Sequence, residues 1–246
     1  MGSLRVMTPE LVICVPGKWV DRNDFLRQVI THQPAGRYMF AGMVLADVEA
    51  KDHVPLDFYS GDSQIPQAFS IAGQGQIPAD VLAQLDEHTS VVYLHFPLDL
   101  TDQRERILKY TQLVQRLGGI AVKVESSGIA HTWKRWFALL SGSPFDIYCA
   151  AVVLIGDESC YYSCGMHDFG LPECEVSRTV PADEAADLMN RFNYWQITDR
   201  PHLDSGHTFS LSSTAPHFRL ALGQDFRHTE DEMFHNPHGI WRLNAA

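Results

Sequence analysis

A chain of 246 residues with 45% hydrophobic and 20% charged residues is long enough to bury a sizeable core, as one large domain or two small ones. Nineteen Lys and Arg against thirty Asp and Glu give a formal net charge of -11: six basic against twelve acidic residues up to Asp99, thirteen against eighteen beyond it. Such evenly spread negative charge repels nucleic acid and anionic membrane and favours a cationic protein as partner, although acidity of this size also serves solubility alone.

The longest apolar run, Ile147 to Ile155, is about half of the ~20 residues that cross a bilayer, so no span is expected. The start, MGSLRVMTPE, has no apolar stretch behind a basic one, and no secretory leader is expected. Cys14, Cys149, Cys160, Cys164 and Cys174 are odd in number, and several sit in strand-like runs; the expectation is five free thiols in a reducing cytoplasm.

Leu11 to Val15 reads as a strand closed by Pro16-Gly17, and Phe25, Leu26, Val29 and Ile30 place a helix over Asp21 to His32. Tyr38 to Val48 and Val54 to Tyr59 read as strands, followed by a Gly/Gln-rich loop around Gly73-Gln-Gly75. Ile77-Pro-Ala-Asp80 opens a helix, and Ser90 to Phe96 is a strand. Thr101 to Leu117 is an amphipathic helix stopped by Gly118-Gly119. Strands are then predicted at Ile120 to Val124, Ile147 to Ile155, Ser159 to Met166, Thr208 to Ser212 and Phe218 to Leu222. Helices are predicted at Ile129 to Leu140 and Pro181 to Tyr194. Phe145 to Glu175, a buried strand followed by a polar tip, stands at the centre of this plan.

The two halves can be laid over each other. Ile77 to Leu85 matches Val180 to Leu188, Tyr38 to Asp47 lies over Tyr148 to Asp157, and Asp57-Phe58 falls on Asp168-Phe169. The expected fold is therefore α+β, a tandem duplication of a ferredoxin-like βαββαβ module. Its parts would be a first module over 1–99, a linking helix over 100–118, and a second module over 119–246 with an extra C-terminal strand and tail.

Three polar stretches could carry chemistry. Glu125 and His131 flank a strand-to-helix turn, where a carboxylate and an imidazole could act as base and partner or as metal ligands. His167 and Asp168, with Glu173, could bind a divalent metal or shuttle protons at a sheet rim. Against this, Ser126-Ser-Gly128 suits a plain turn, and a buried His is more often a satisfied structural group, so His131 and His167 are expected to be structural. The histidine-rich stretch His228 to His238 lacks HExxH spacing, and Asn236-Pro-His-Gly239 is a turn that docks Ile240-Trp241 on the core. There is no Walker loop, GxGxxG or GxSxG, and no cofactor or metal is expected.

Val122 to His131 (VKVESSGIAH) with Trp133, Ser163 to Pro172 (SCGMHDFGLP) and Asn236 to Trp241 (NPHGIW) together resemble an uncharacterised bacterial domain family, over nearly the whole chain. Domains of this sort occur among the immunity proteins of polymorphic toxin and type VI secretion systems. What the resemblance implies is a non-enzymatic cytoplasmic protein that binds and neutralises a cognate toxin, with a cationic nuclease as one candidate. Trp19, Tyr59 and Phe69 are then candidate anchors if exposed, though core burial suits each better. The alternative is a metal-dependent hydrolase whose site joins Glu125, His131, His167 and Asp168.

Overall fold

The computed structural model describes residues 10–32 and 36–246; most of the N-terminal stretch read for a leader, residues 1–9, lies outside them. The chain is α+β, with seven α-helices and two sheets among the described residues. The first half runs β1 (Glu10–Gly17), α1 (Arg22–His32), β2 (Tyr38–Ala41), β3 (Val44–Asp47), β4 (Asp52–Ser60), α2 (Ile65–Ala72), α3 (Ala79–Asp86), β5 (Ser90–Pro97) and α4 (Leu100–Arg116). Then come β6 (Val122–Val124), β7 (Ile129–His131), α5 (Trp133–Leu140), α6 (Pro144–Ala151), β8 (Val153–Gly156), β9 (Cys160–Cys164), a 3-10 turn (Met166–Phe169) and β10 (Glu173–Ser177). The chain finishes with α7 (Ala182–Asp199), β11 (Thr208–Phe209), β12 (Phe218–Gly223) and β13 (Ile240–Ala245).

The first sheet has the order β2-β3-β4-β5-β1-β6-β7 and is antiparallel throughout. Because side chains alternate across a strand, Ile13, Leu56, Leu94, Phe96, Val122 and Val124 share one face, buried with Phe25 of α1, Tyr110 and Val114 of α4 and Trp136 of α5. On the opposite face α2 and α3 cover only part of the sheet, with Phe69, Ile77 and Leu85 packed on Cys14, Val91 and Ala130. The second sheet, β11-β12-β13-β10-β9-β8, is antiparallel except for β10 beside β13, and α7 packs Leu188, Met189 and Phe192 on Cys174, Val176, Leu220 and Leu243. All five cysteines are free.

The duplication does not hold. Tyr38 to Asp47 is a hairpin, whereas Tyr148 lies in α6 and its aligned stretch is helix followed by strand. Asp57 sits in a β-strand and Asp168 in the 3-10 turn. The helices at Ala79 and Ala182 do start alike, each directly after an extended proline, but that is a shared helix start rather than a shared fold. The stretch after α4, assigned above to a second module, first completes the other sheet: β6 pairs with β1 and β7 with β6.

Two local corrections have clear causes. The run Ile147 to Ile155 begins as helix because Ser143 and Asp146 form a reciprocal capping box with Pro144 in the first turn; only the branched Val153-Leu-Ile155 is extended. The segment from Ile129 starts as a strand, since the turn at Gly128 (φ +68°) sends it back along β6, and the helix waits for Thr132, whose hydroxyl caps Arg135 N.

Gly165, at φ +119°, turns the chain from β9 into the 3-10 turn with its Cα against the Ala151 carbonyl and the Ser127 side chain. A Cβ there meets both strain and backbone overlap. Gly165→Ala is expected to lower stability by about 3 kcal/mol in a urea unfolding titration; a change below about 0.5 kcal/mol contradicts this account.

Candidate functional site

The polar motif residues converge on one carboxylate. Glu173, at the start of β10, is buried, and its Oε1 accepts from Gly165 N (3.1 Å), Met166 N (2.9 Å), His167 Nδ1 (3.1 Å) and Asn236 Nδ2 (3.0 Å). Its Oε2 accepts from Ser163 Oγ at 2.7 Å, and that hydroxyl in turn accepts from Cys174 N at 3.0 Å. The left-handed Gly165 is what turns successive backbone N–H groups toward a single point, a concavity suited to an anion.

Beside it, Asp168 is fully buried and accepts from Ser126 Oγ at 2.7 and 2.9 Å. Burial raises its pKa, against the His167 charge and the Ser126 bond. For His167 burial acts downward, but the Asp168 charge and the bond to Glu173 outweigh it and the pKa is raised, so the ring is held as imidazolium between two acids. Its Nε2 stands 3.9 Å from Asp168 Oδ1, beyond hydrogen-bond range.

His131 belongs to a different environment. It pairs with Val122 across β7 and β6 and so faces the helix-covered side, where its Nε2–H donates to Ala150 O at 2.9 Å and its ring stacks on Trp136 at 5.9 Å. Burial lowers its pKa to about 4, so the ring is neutral. Glu125 follows β6 on the opposite face with Lys123, to which it is bonded at 2.6 Å. The four residues that sequence reading joined into a hydrolase site therefore do not assemble: His167 and Asp168 meet, while His131 and Glu125 lie on opposite faces of the first sheet. No group of three or more His, Cys, Asp or Glu among the described residues is placed to hold a metal ion.

Of the three candidate anchors, Trp19 and Phe69 are buried. Trp19 donates Nε1–H to Leu117 O at 2.6 Å and packs edge-on against Phe25; Phe69 belongs to the α2 core. Tyr59 is 56% exposed, with its ring edge-on to Tyr93.

Ionic groupings on the sheet faces escaped the sequence reading. On the open face of the first sheet His95 bonds Glu10 through Nδ1 (3.0 Å) and Asp57 through Nε2 (3.2 Å); the acids take opposite ring nitrogens and so do not converge on one point. On the face of the second sheet away from α7, the Arg227 guanidinium lies 4.3 Å over the Tyr162 ring, bonds Asp225 at 3.0 Å and pairs with Glu175. Arg242 Nε bonds the other Glu175 oxygen at 2.7 Å, and a groove of about 550 Å³ opens over this face. Glu175 and Arg242 are paired only because β10 and β13 lie side by side, a contact with no local signal.

Together the fold and these groups define an α+β protein with two sheets and a closed ionic centre. No known protein family, curated protein or solved structure matches the chain.

Three substitutions test this electrostatic arrangement. His131 is neutral in the fold and titrates near 6.5 when unfolded, so the unfolded chain takes up the proton first as pH falls; stability is lost between pH 6.5 and about 4, by up to about 3 kcal/mol. The raised His167 acts in the opposite sense, its contribution being present below pH 6.5 and lost as pH rises beyond it. In urea titrations across this range His131→Phe is expected to flatten the acid limb, and an unchanged slope refutes the assignment. Glu173→Ala is expected to cost about 3–5 kcal/mol, because it removes the acid bonded to His167 and leaves the Gly165, Met166 and Asn236 amide groups unpaired. Glu173→Gln is expected to move the His167 titration downward in an NMR pH series.

Proposed function

We propose that the chain is a non-enzymatic binding protein of the immunity type, which occupies and neutralises a cognate bacterial toxin in the cytoplasm. The observation that carries this reading is the closure of the polar motifs: His131, His167 and Asp168 are 1%, 3% and 0% exposed. A general acid, base or nucleophile must reach its substrate, and these groups are buried, with Asp168 bonded to Ser126, His167 to Glu173 and His131 to the Ala150 carbonyl. The motif set that resembles immunity domains then serves to hold a shape, which is what a stoichiometric inhibitor requires. The net charge of -11 supports a basic partner, since it speeds encounter with a cationic surface.

The test is co-expression with the product of the adjacent reading frame. The expected results are rescue of growth, a stoichiometric complex by size-exclusion chromatography, and an association rate that falls as salt screens the charges over a Debye length of ~8 Å at physiological ionic strength. Absence of a complex with any neighbouring gene product, together with turnover of a small substrate, would sink the proposal.

A further inference from the structure

The stretch between β12 and β13 is a hairpin connection over residues 224–239, and its ends are adjacent because Gly223 pairs with Ile240. A connection this long and without regular structure is uncommon in a compact domain, and such loops are frequently functional when they pack on themselves. This one is built at two feet. At the first, Arg227 stacks on Tyr162, bonds Asp225 and pairs with Glu175, while its NH2 group also donates to Cys160 Sγ at 3.1 Å. At the second, Asn236 donates to Glu173 Oε1 at 3.0 Å and to Leu171 O at 2.9 Å, its own oxygen accepts from His238 N at 2.8 Å, and Glu173 N donates to Gly239 O at 3.0 Å. The buried ionic centre is thus the socket of the second foot.

Between the feet the loop is closed by its own contacts. Thr229 N donates to Glu232 Oε2 and Thr229 Oγ1 to Asp231 Oδ1, each at 2.6 Å; His235 Nδ1 lies 3.2 Å from His228 O; the His228 and Phe234 rings stand 5.3 Å apart. Phe234 rests over Gly128, where a Cβ would come within 3.3 Å of the ring. Held in this way, the loop presents apolar groups to solvent: Phe226 is 82% exposed, Met233 and Phe234 are exposed, and Leu222 at the end of β12 adds to them. Glu230, Asp231 and Glu232 are exposed alongside, and the bonds from Thr229 keep the last two carboxyls below their ordinary range. The one arginine of the loop is engaged at the foot by Glu175 and Asp225, so the exposed tip is anionic.

Exposed aromatic and methionine side chains on a pre-ordered backbone are the usual material of interface hot spots, and a carboxylate rim selects for positive charge. We infer that the 224–239 loop is the surface on which a basic protein docks, with Phe226 and Met233 as apolar anchors and Glu230, Asp231 and Glu232 as the steering rim. The inference rests on the reading of the chain as a binding protein and adds to it the surface and the partner's charge.

The probe is the adjacent gene product, titrated by calorimetry and surface plasmon resonance against the full chain. Four forms are compared: wild type, Phe226→Ser with Met233→Ser, Glu230→Gln with Asp231→Asn and Glu232→Gln, and a control, Met39→Ser with Met43→Ser, at exposed positions of the β2-β3 hairpin. The apolar pair is expected to weaken binding about 30-fold. The charge variant is expected to slow association about tenfold at low salt and to flatten its salt dependence. The control should bind within threefold of wild type. Melting temperatures of all forms should agree, and hydrogen exchange should slow across 224–239 in the wild-type complex. If wild type binds and both loop variants match it, or if the control loses as much, the loop is not the docking surface while the binding reading stands. If wild type itself binds no neighbouring product, the binding reading fails and the loop assignment falls with it.

Discussion

A carboxylate taken out of water is costly unless nearly all of its lone pairs are used, and Glu173 meets that condition with donors from three separate stretches of the chain. Ser163 comes from β9, Gly165 to His167 from the turn, and Asn236 from the far end of the long loop, while Glu173 itself opens β10. Because all of them converge on one carboxylate, the interaction fixes the relative placement of elements otherwise separated by up to about seventy residues of sequence. Specificity of arrangement rather than net stability is the role such a buried ionic group is best suited to.

Each sheet has one face closed by helices and one left wholly or partly open, and charged groups are distributed accordingly. Glu10, Asp57, His95, Lys123 and Glu125 sit on the incompletely covered face of the first sheet, and Glu175, Arg227 and Arg242 on the open face of the second. These ion pairs are partly solvated and individually contribute little to stability. Their consequence is geometric: they set where loops can lie and which apolar side chains stay outside, as Arg227 does for Phe226.

What could be read from residues alone followed the range of the physics involved. The helices at Asp21, Ile77, Thr101 and Pro181 were legible because apolar spacing and helix-start residues are local signals, and so were the strands at Leu11 and Ser90. The α6 helix was missed because its apolar run looked like a strand, although Ser143-Pro-Phe-Asp146 carried the start signal. Strand β13 was read only as a docked end, since its partners β12 and β10 lie far away in the chain. Likewise the alignment of the two halves rested on shared turn and helix-start residues, which report local backbone geometry and say nothing of strand pairing. For the site, His167, Asp168 and Glu173 were picked out by type and Asn236 only as part of a turn, since their union on one carboxylate depends on a left-handed glycine and a distant loop. Glu125 and His131 were near in sequence and yet were separated by the thickness of a sheet.

The position of β13 bears on how the protein is made. It is the last described strand, and it fills the place between β12 and β10, pairing antiparallel with one and parallel with the other. All seven strands of the first sheet lie before Trp133, but β12 and β10 keep bare edges until Ile240 to Ala245 pair with both. During that interval the second sheet is two fragments with unsatisfied backbone groups, the state in which strands pair with the wrong neighbour. The long loop ahead of β13 has to be seated in its socket in the same closing step, so closure of this half waits on the docking of β13.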